Sequence, residues 1–361
     1  MCDPSNILTW LDGNVQSMRR SRKKALAIIT SAAMRMNGTG VLALGRAMEG
    51  PARAKHRIKR VDRFLGNAQV EVDAISEALF HQLRPASGPV VVLADWTDRY
   101  DFQQLVLALP RHGRAMPFYA ITIEKGDGSG RHEGLMIEAE ALALDALSRM
   151  CGDEITLIII ADRGFGNVRW LRDIGKRGWY FVQRLSCNHC MNVEHHIGLL
   201  QELGIRRGYL PKDWGWGTMN EEEWGHMRLV TVFDREAKEP WYLVTNLPCH
   251  SARQIVGLYQ RRMWIEAAFR DLKNRNLGLG MDHVRLTQAS RLDRHFIILA
   301  LAYVFLCAFG SMAEKAGLGE ELKANTVGER VLSLARIGSY FLQTTQIPIA
   351  YAFRELLELP T

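Results

Sequence analysis

Two aspartates and a glutamate are the residues of this 361-residue chain best suited by type and setting to metal-assisted chemistry on phosphate esters. Asp95 ends the apolar run VVVLA at 90–94, and Asp162 ends a second run, ITLIIIA, at 155–161. A continuous apolar run without alternation is the pattern of a strand buried on both faces. A carboxylate at the end of such a strand is a hard oxygen ligand on rigid backbone. Glu266 offers a third carboxylate from a later segment that reads as helix. Three such groups suit a pair of divalent cations about 3.5–4 Å apart. One ion activates an attacking water or 3′-hydroxyl, and the other stabilises the leaving oxygen. Each residue alone has a plainer explanation, since a strand-end Asp is often a turn former and a Glu near Arg and Lys is usually solvated helix surface. The joint pattern reaches a metal-dependent nuclease and no further.

The helical segment read from 251 to 272 adds a geometric argument. At about 100° per residue, Tyr259, Arg262, Glu266 and Lys273 fall within an arc of about 60° on one continuous helix. Beside that arc, Leu258, Ile265, Phe269 and Leu272 form an apolar stripe suited to packing. Glu266 is thereby expected at the border between core and solvent.

These carboxylates need a scaffold that brings them together. Strand-like runs at 90–94, 102–109 and 117–123 are followed by an amphipathic helix at 133–150, a strand at 155–161, a short helix at 168–176 and a strand at 179–185. Tight turns make the first three an antiparallel meander, whereas crossovers through helices require parallel neighbours. The succession predicts an α/β fold with a ribonuclease-H-like mixed sheet, its first and fourth strands parallel and adjacent, so that Asp95 and Asp162 are neighbours. Residues 186–240 break the rhythm with DWGWG at 213–217 and EEEWGH at 221–226, and strand-like pieces follow at 227–233 and 241–246. An inserted β subdomain at about 186–250 is expected. Helical segments at 14–35, 53–65 and 70–83 complete a three-part organisation: a helical basic region at 1–85, a catalytic domain at 88–290 and a C-terminal helical region at 291–361.

Charge is unevenly distributed. The net charge is +7, but residues 1–70 carry 13 Lys and Arg against 4 Asp and Glu, a local +9 that leaves −2 for the remainder. A basic helical segment joined to a near-neutral domain fits a nucleic-acid partner, with an incidentally basic surface as the alternative. Six scattered cysteines are not a disulfide framework, and the opening MCDPSNILTWLDG lacks a signal-peptide pattern, so a cytoplasmic location is expected. The apolar run FIILALAYVFLCAF at 296–309 is shorter than the roughly 20 residues of a membrane span and reads as a core helix. CNHC at 187–190, near His195, His196, Cys249 and His250, has half the pattern of a zinc site and reads better as loop cysteines. GDGSG at 126–130 lacks the lysine and serine of a nucleotide-binding loop.

The segment YQRRMWIEAAFRDLK at 259–273 resembles the Tyr-x2-Arg-x3-Glu-x6-Lys signature of bacterial insertion-sequence DDE transposases of the IS-four family, with every spacing kept. ADWTD at 94–98 and ADRGFGN at 161–167 resemble that family's two aspartate motifs, and KHRIKRVDRFLGN at 55–67 resembles its N-terminal DNA-binding segment. The likeness covers nearly the whole chain. It implies that Asp95, Asp162 and Glu266 form the catalytic, metal-binding triad, with Mg2+ as the ion and Mn2+ able to substitute. Tyr259, Arg262 and Lys273 are implied to contact DNA near the scissile phosphate, and Lys55, Arg57, Lys59, Arg60 and Arg63 to contact it through the basic segment. The implied activity is cleavage at insertion-sequence ends and strand transfer into target DNA. The implied partners are double-stranded DNA, as transposon ends and target, and a second protomer in a synaptic complex at the bacterial nucleoid, with no membrane involved. Some members cut through a DNA hairpin, an aromatic of the β insertion holding a flipped base. Trp241 stands in a comparable place, and a core tryptophan is its plainer reading. A purely hydrolytic nuclease of the same fold, and a non-catalytic DNA-binding protein derived from a transposase, stay open as alternatives.

Overall fold

The computed structural model describes residues 4–35, 38–111, 113–126, 131–165, 167–219, 226–275, 278–322 and 332–344. Most of the GDGSG loop, most of the EEEWGH stretch, Cys2 and the end of the C-terminal helical region lie outside the described residues. The chain opens with α1 (Pro4–Asn14), α2 (Arg20–Met34), α3 (Val41–Ala47), α4 (Ala54–Gly66) and α5 (Val72–Leu83). Strands β1 (Val90–Arg99), β2 (Phe102–Arg111) and β3 (Arg114–Glu124) follow, then α6 (Arg131–Cys151), β4 (Leu157–Ala161), α7 (Val168–Lys176) and β5 (Tyr180–Leu185). Next come β6 (Cys190–Val193), β7 (His196–Leu199), β8 (Tyr209–Met219), β9 (Met227–Phe233) and β10 (Trp241–Thr245). Helices α8 (Ala252–Gln260), α9 (Met263–Lys273), α10 (Ala289–Lys315) and α11 (Leu334–Thr344) end the succession.

The chain divides into two compact units, one of residues 1–84, 97–132 and 266–361, the other of residues 85–96 and 133–265. Strand β1 begins in the second and ends in the first. In the second unit the strand order is β1-β4-β5-β10-β9-β8-β6-β7. β1 and β4 are parallel, as are β4 and β5, whereas β10 runs antiparallel to β5 and to β9. Every residue of β4 is buried, as its unbroken apolar run requires. The crossover from β4 to β5 is α7, which buries Val168, Trp170, Leu171 and Ile174. Its N-terminus is capped by Asn167, whose side chain accepts from the Trp170 N–H at 2.7 Å. The inserted strands β6 to β10 extend this same sheet from the edge of β5, supplying partners for backbone groups that an open edge would leave unpaired. A Cβ at Gly217 would lie 1.8 Å from the Asn192 carbonyl oxygen, so only glycine admits the β6–β8 pairing there.

In the first unit the order is β3-β2-β1, with β2 and β3 antiparallel as the tight turn demands. Together the two orders give the mixed sheet and flanking helices of a ribonuclease-H-like α/β fold. Of the segment expected as helix from 14 to 35, α2 takes Arg20–Met34, and α1 precedes it and ends at Asn14. The core of this unit is α10, whose most apolar 18-residue window has a mean hydropathy of 2.3 and is 94% buried. The apolar run at 296–309 understated this helix, whose 27 residues suffice by length to cross a membrane. Its sides are covered instead by α2, α4, α5, β3 and α11. Gly310 and Gly338 let α10 and α11 touch backbone to backbone, since a Cβ at either would sit 1.9 Å from a carbonyl oxygen of the other helix. On α4, Val61, Phe64 and Leu65 are buried while Lys55, Lys59, Arg60 and Arg63 are exposed.

Candidate active site

The parallel register of β1 and β4 ends on the pair Ala94 and Ala161. Asp95 and Asp162 are the next residue of each chain segment, so the pairing predicted from the two apolar runs sets both carboxyls at the same end of adjacent strands. Asp95 accepts from the Trp96 N–H at 2.9 Å. The Asp162 carbonyl oxygen accepts from the side-chain amide of Gln183 on β5 and from the Phe165 N–H, which fixes the turn that follows.

One guanidinium lies between the two carboxyls. Arg262 Nη2 is 3.2 Å from Asp95 Oδ2 and 3.2 Å from Asp162 Oδ2. Their side chains are 13% and 19% exposed and that of Arg262 is 11%, so solvent screens this cluster far less than a surface pair. The buried Tyr259 hydroxyl donates to Asp162 Oδ1 at 2.8 Å. Arg184 of β5 stands 3.9 Å from the same oxygen and binds Glu239 at 2.7 Å, which in turn pairs with Arg163 at 3.3 Å. Burial alone would raise the Asp162 pKa. The Arg262 charge, the Arg163 N–H, the Tyr259 hydroxyl and Arg184 outweigh it and hold the carboxyl below its ordinary value of 3.8. Burial and the Asp162 charge push the Tyr259 phenol up, so it remains a donor.

The signature segment is not one helix. Arg261 and Arg262 form a turn between α8 and α9, closed by N–H bonds from Arg261, Arg262, Trp264 and Ile265 to carbonyls three residues back. Such bonds tighten the winding to about 120° per residue. The arc that put Tyr259, Arg262, Glu266 and Lys273 on one helix face is therefore incorrect. The tightened turn accompanies a Tyr259 side chain pointing into the core and an Arg262 directed at the aspartates. Glu266 lies half-buried in the first turn of α9. Lys273, at the end of α9, donates to the Asp98 carbonyl oxygen at 3.4 Å and lies 3.9 Å from Asp282. Glu266 and Lys273 belong to the first unit, as do the basic residues of α4, and Asp95, Asp162, Trp241, Tyr259 and Arg262 to the second.

Trp241, half-buried at the start of β10, meets the Tyr259 ring edge-on with centroids 4.9 Å apart. It also lines a cavity of about 670 Å3 with Tyr209, Phe233, Arg253 and Gln260. Sequence reading missed Arg184 and Glu239. The one available signal was an arginine inside the β5 segment YFVQRL, whose residues other than Tyr180 and Arg184 are buried. Cys187 is exposed and Cys190 begins β6.

Among the described residues no three His, Cys, Asp or Glu side chains are grouped as a metal-binding set. The pair Asp95 and Asp162 nevertheless fits a magnesium-type ion, which is commonly held by one or two carboxylates with water and substrate phosphate oxygens completing the shell. Both are hard donors, little exposed, and converge on one position that a cationic group already takes.

Residues 137–305 match the family described as the transposase DDE domain. The match supports a DDE transposase, an enzyme class that generally uses divalent metal ions. It spans Asp162, the inserted strands and the signature segment, while Asp95 precedes it. No curated protein matched the chain.

Removing the Tyr259 hydroxyl tests its tie to Asp162. Tyr259→Phe is expected to lower stability by about 1.5–3 kcal/mol, the range for a hydrogen bond to a charged group. Urea denaturation at neutral pH measures it. A difference below about 0.5 kcal/mol would mean that water replaces the hydroxyl.

Proposed function

We propose that this protein is an insertion-sequence transposase of the IS-four type, which cleaves transposon ends and joins them to target DNA by metal-dependent phosphoryl transfer. The observation that carries the reading is the convergence of Asp95 and Asp162 at paired strand ends, in a chain matched to the transposase DDE domain. Asp95, Asp162 and Glu266 are the proposed ligands of two Mg2+ ions, with Mn2+ as a substitute. When bound, these ions supply Lewis-acid activation of the attacking and leaving oxygens. Arg262 orients both aspartates, and Tyr259 fixes one rotamer of Asp162. Lys273 contacts phosphate. Lys55, Arg57, Lys59, Arg60 and Arg63 are the proposed end-binding residues, and a protein dimer at the nucleoid brings two ends together.

End-labelled DNA carrying the inverted repeats that flank the gene tests this reading directly. The expected result with Mg2+ is a 3′-hydroxyl at each end, followed by joining to a target plasmid. Cleavage without joining favours a hydrolytic nuclease, and binding without cleavage a non-catalytic DNA-binding protein.

The same gel tests Trp241. An extruded base needs a π-surface to replace lost stacking, worth on the order of 1–3 kcal/mol, and Trp241 stands at a cavity with room for one. Trp241→Ala is expected to leave first-strand nicking near normal and to slow hairpin formation about tenfold, so that nicked DNA accumulates. Joint loss of nicking and hairpin would instead assign Trp241 to packing against Tyr259.

Neutralising the exposed face of α4 tests the electrostatic role. In the full-length chain, Lys55, Lys59, Arg60 and Arg63 all changed to Gln should reduce the slope of log K against log salt by about 0.9 for each phosphate that is no longer neutralised. An unchanged slope would remove this face from the interface.

A further inference from the structure

Behind the two aspartates lies a carboxyl that the reaction does not use. Glu140 of α6 is 5% exposed. It accepts from Asn167 Nδ2 at 3.4 Å, and the other end of that amide caps α7. The Trp96 indole N–H is buried without a hydrogen bond of good geometry, yet it lies near enough to Glu140 to favour the ionised carboxyl. Burial dominates and pushes the Glu140 pKa up to about 7, with Asn167 and Trp96 acting against it.

Both partners belong to segments that carry the proposed metal ligands. Trp96 follows Asp95 and gives its backbone N–H to that carboxyl. Asn167 closes the turn after Asp162, with its N–H on the Phe165 carbonyl oxygen at 2.7 Å. Between them Phe165, 1% exposed, stacks on Trp96 at 6.3 Å and 27° and packs on Trp170 at 5.1 Å. The rings hold the two segments together by dispersion, which fixes separation better than rotation about the stack. A polar anchor reaching both segments supplies the missing constraint.

We propose that Glu140 is a positioning residue for the metal site, joining the Asp95 and Asp162 segments through Trp96 and Asn167 so that their carboxyls keep the spacing a divalent ion requires. The inference rests on the assignment of Asp95 and Asp162 as metal ligands. Groups that orient metal ligands typically change ion affinity by about 10- to 100-fold when removed, although they never touch the ion.

The test is Mn2+ binding to the full-length chain without DNA, read as loss of the free-ion electron paramagnetic resonance signal. Asp95→Asn sets the scale. If it binds Mn2+ like the wild type, the ligand assignment itself fails. With that control passed, Glu140→Ala is expected to weaken binding about tenfold. Glu140→Gln, whose one amide oxygen can still accept from Asn167 but whose NH2 replaces the second acceptor, should lose about threefold, less than the alanine variant. Wild-type affinity in a folded Glu140→Ala variant overturns the proposal, as does a Glu140→Gln variant as weak as the alanine. If Glu140→Ala does not fold, Trp96→Phe decides, because it keeps the stacked ring and removes the indole N–H. A several-fold loss supports the anchor, and wild-type affinity refutes it.

Discussion

Asp95→Ala, Asp162→Ala and Glu266→Ala are each expected to reduce metal-dependent strand cleavage by on the order of 10³-fold or more, with DNA-end binding largely retained. Loss of one carboxylate disables the ion pair, whereas affinity for DNA comes chiefly from phosphate contacts elsewhere. Asparagine variants at 95 and 162 separate chemistry from folding. At 162 the amide oxygen still accepts from Tyr259, so Asp162→Asn should keep its stability better than Asp162→Ala and still fail to cleave. A gel-shift and a cleavage assay on the same preparations give both readings. Full cleavage by any one variant would remove that residue from the proposed triad. The Glu266 variant carries the most information, because its membership rests on the spacing of the signature rather than on a contact with the aspartates.

The second large effect concerns Arg262. Its guanidinium compensates two little-exposed carboxylates at 3.2 Å each, and removing it leaves them facing one another. Breaking a fully buried pair costs about 3–5 kcal/mol. With residual exposure of the aspartates and the screening it brings, Arg262→Ala is expected to cost about 2–3 kcal/mol in metal-free buffer at pH 7. The sign with pH follows from Asp162. Burial raises its pKa, but Arg262 leads the effects that lower it below the ordinary 3.8. A carboxyl depressed in the folded state contributes stability that is complete above its unfolded pKa and disappears as pH falls through the folded one. Without Arg262 the folded pKa rises, so acid unfolding should begin at higher pH. Millimolar Mg2+ should restore part of the lost stability at pH 7, since an ion bound only by the folded form stabilises it by mass action. Urea and acid titrations with and without Mg2+ measure all three effects. Equal stability of the variant and wild type would show that the aspartates do not depend on this cation.

The sequence by itself determined the frame of the site. Two apolar runs, each closed by Asp, fixed β1 and β4 as doubly buried strands, and the helical crossover made them parallel, so the neighbourhood of Asp95 and Asp162 followed from local pattern and chain connectivity. The 3.6-residue period also located α6, α7 and the exposed basic face of α4, because a helix face is written in contiguous residues. What local pattern could not supply was the set of partners around the aspartates. Arg184 faces Asp162 only through the side-by-side register of β4 and β5, and Glu239 reaches Arg184 through a loop preceding β10. Glu140 meets Trp96 and Asn167 from a helix that lies far from Trp96 in the chain. The turn at Arg261 and Arg262 was invisible as well, since both residues suit a helix interior. A one-residue tightening there sends the Tyr259 hydroxyl to Asp162 and the Arg262 guanidinium between the carboxyls. Periodicity assigns a side chain to a face, whereas hydrogen bonds across the fold choose its partner, and that choice is made only by tertiary packing.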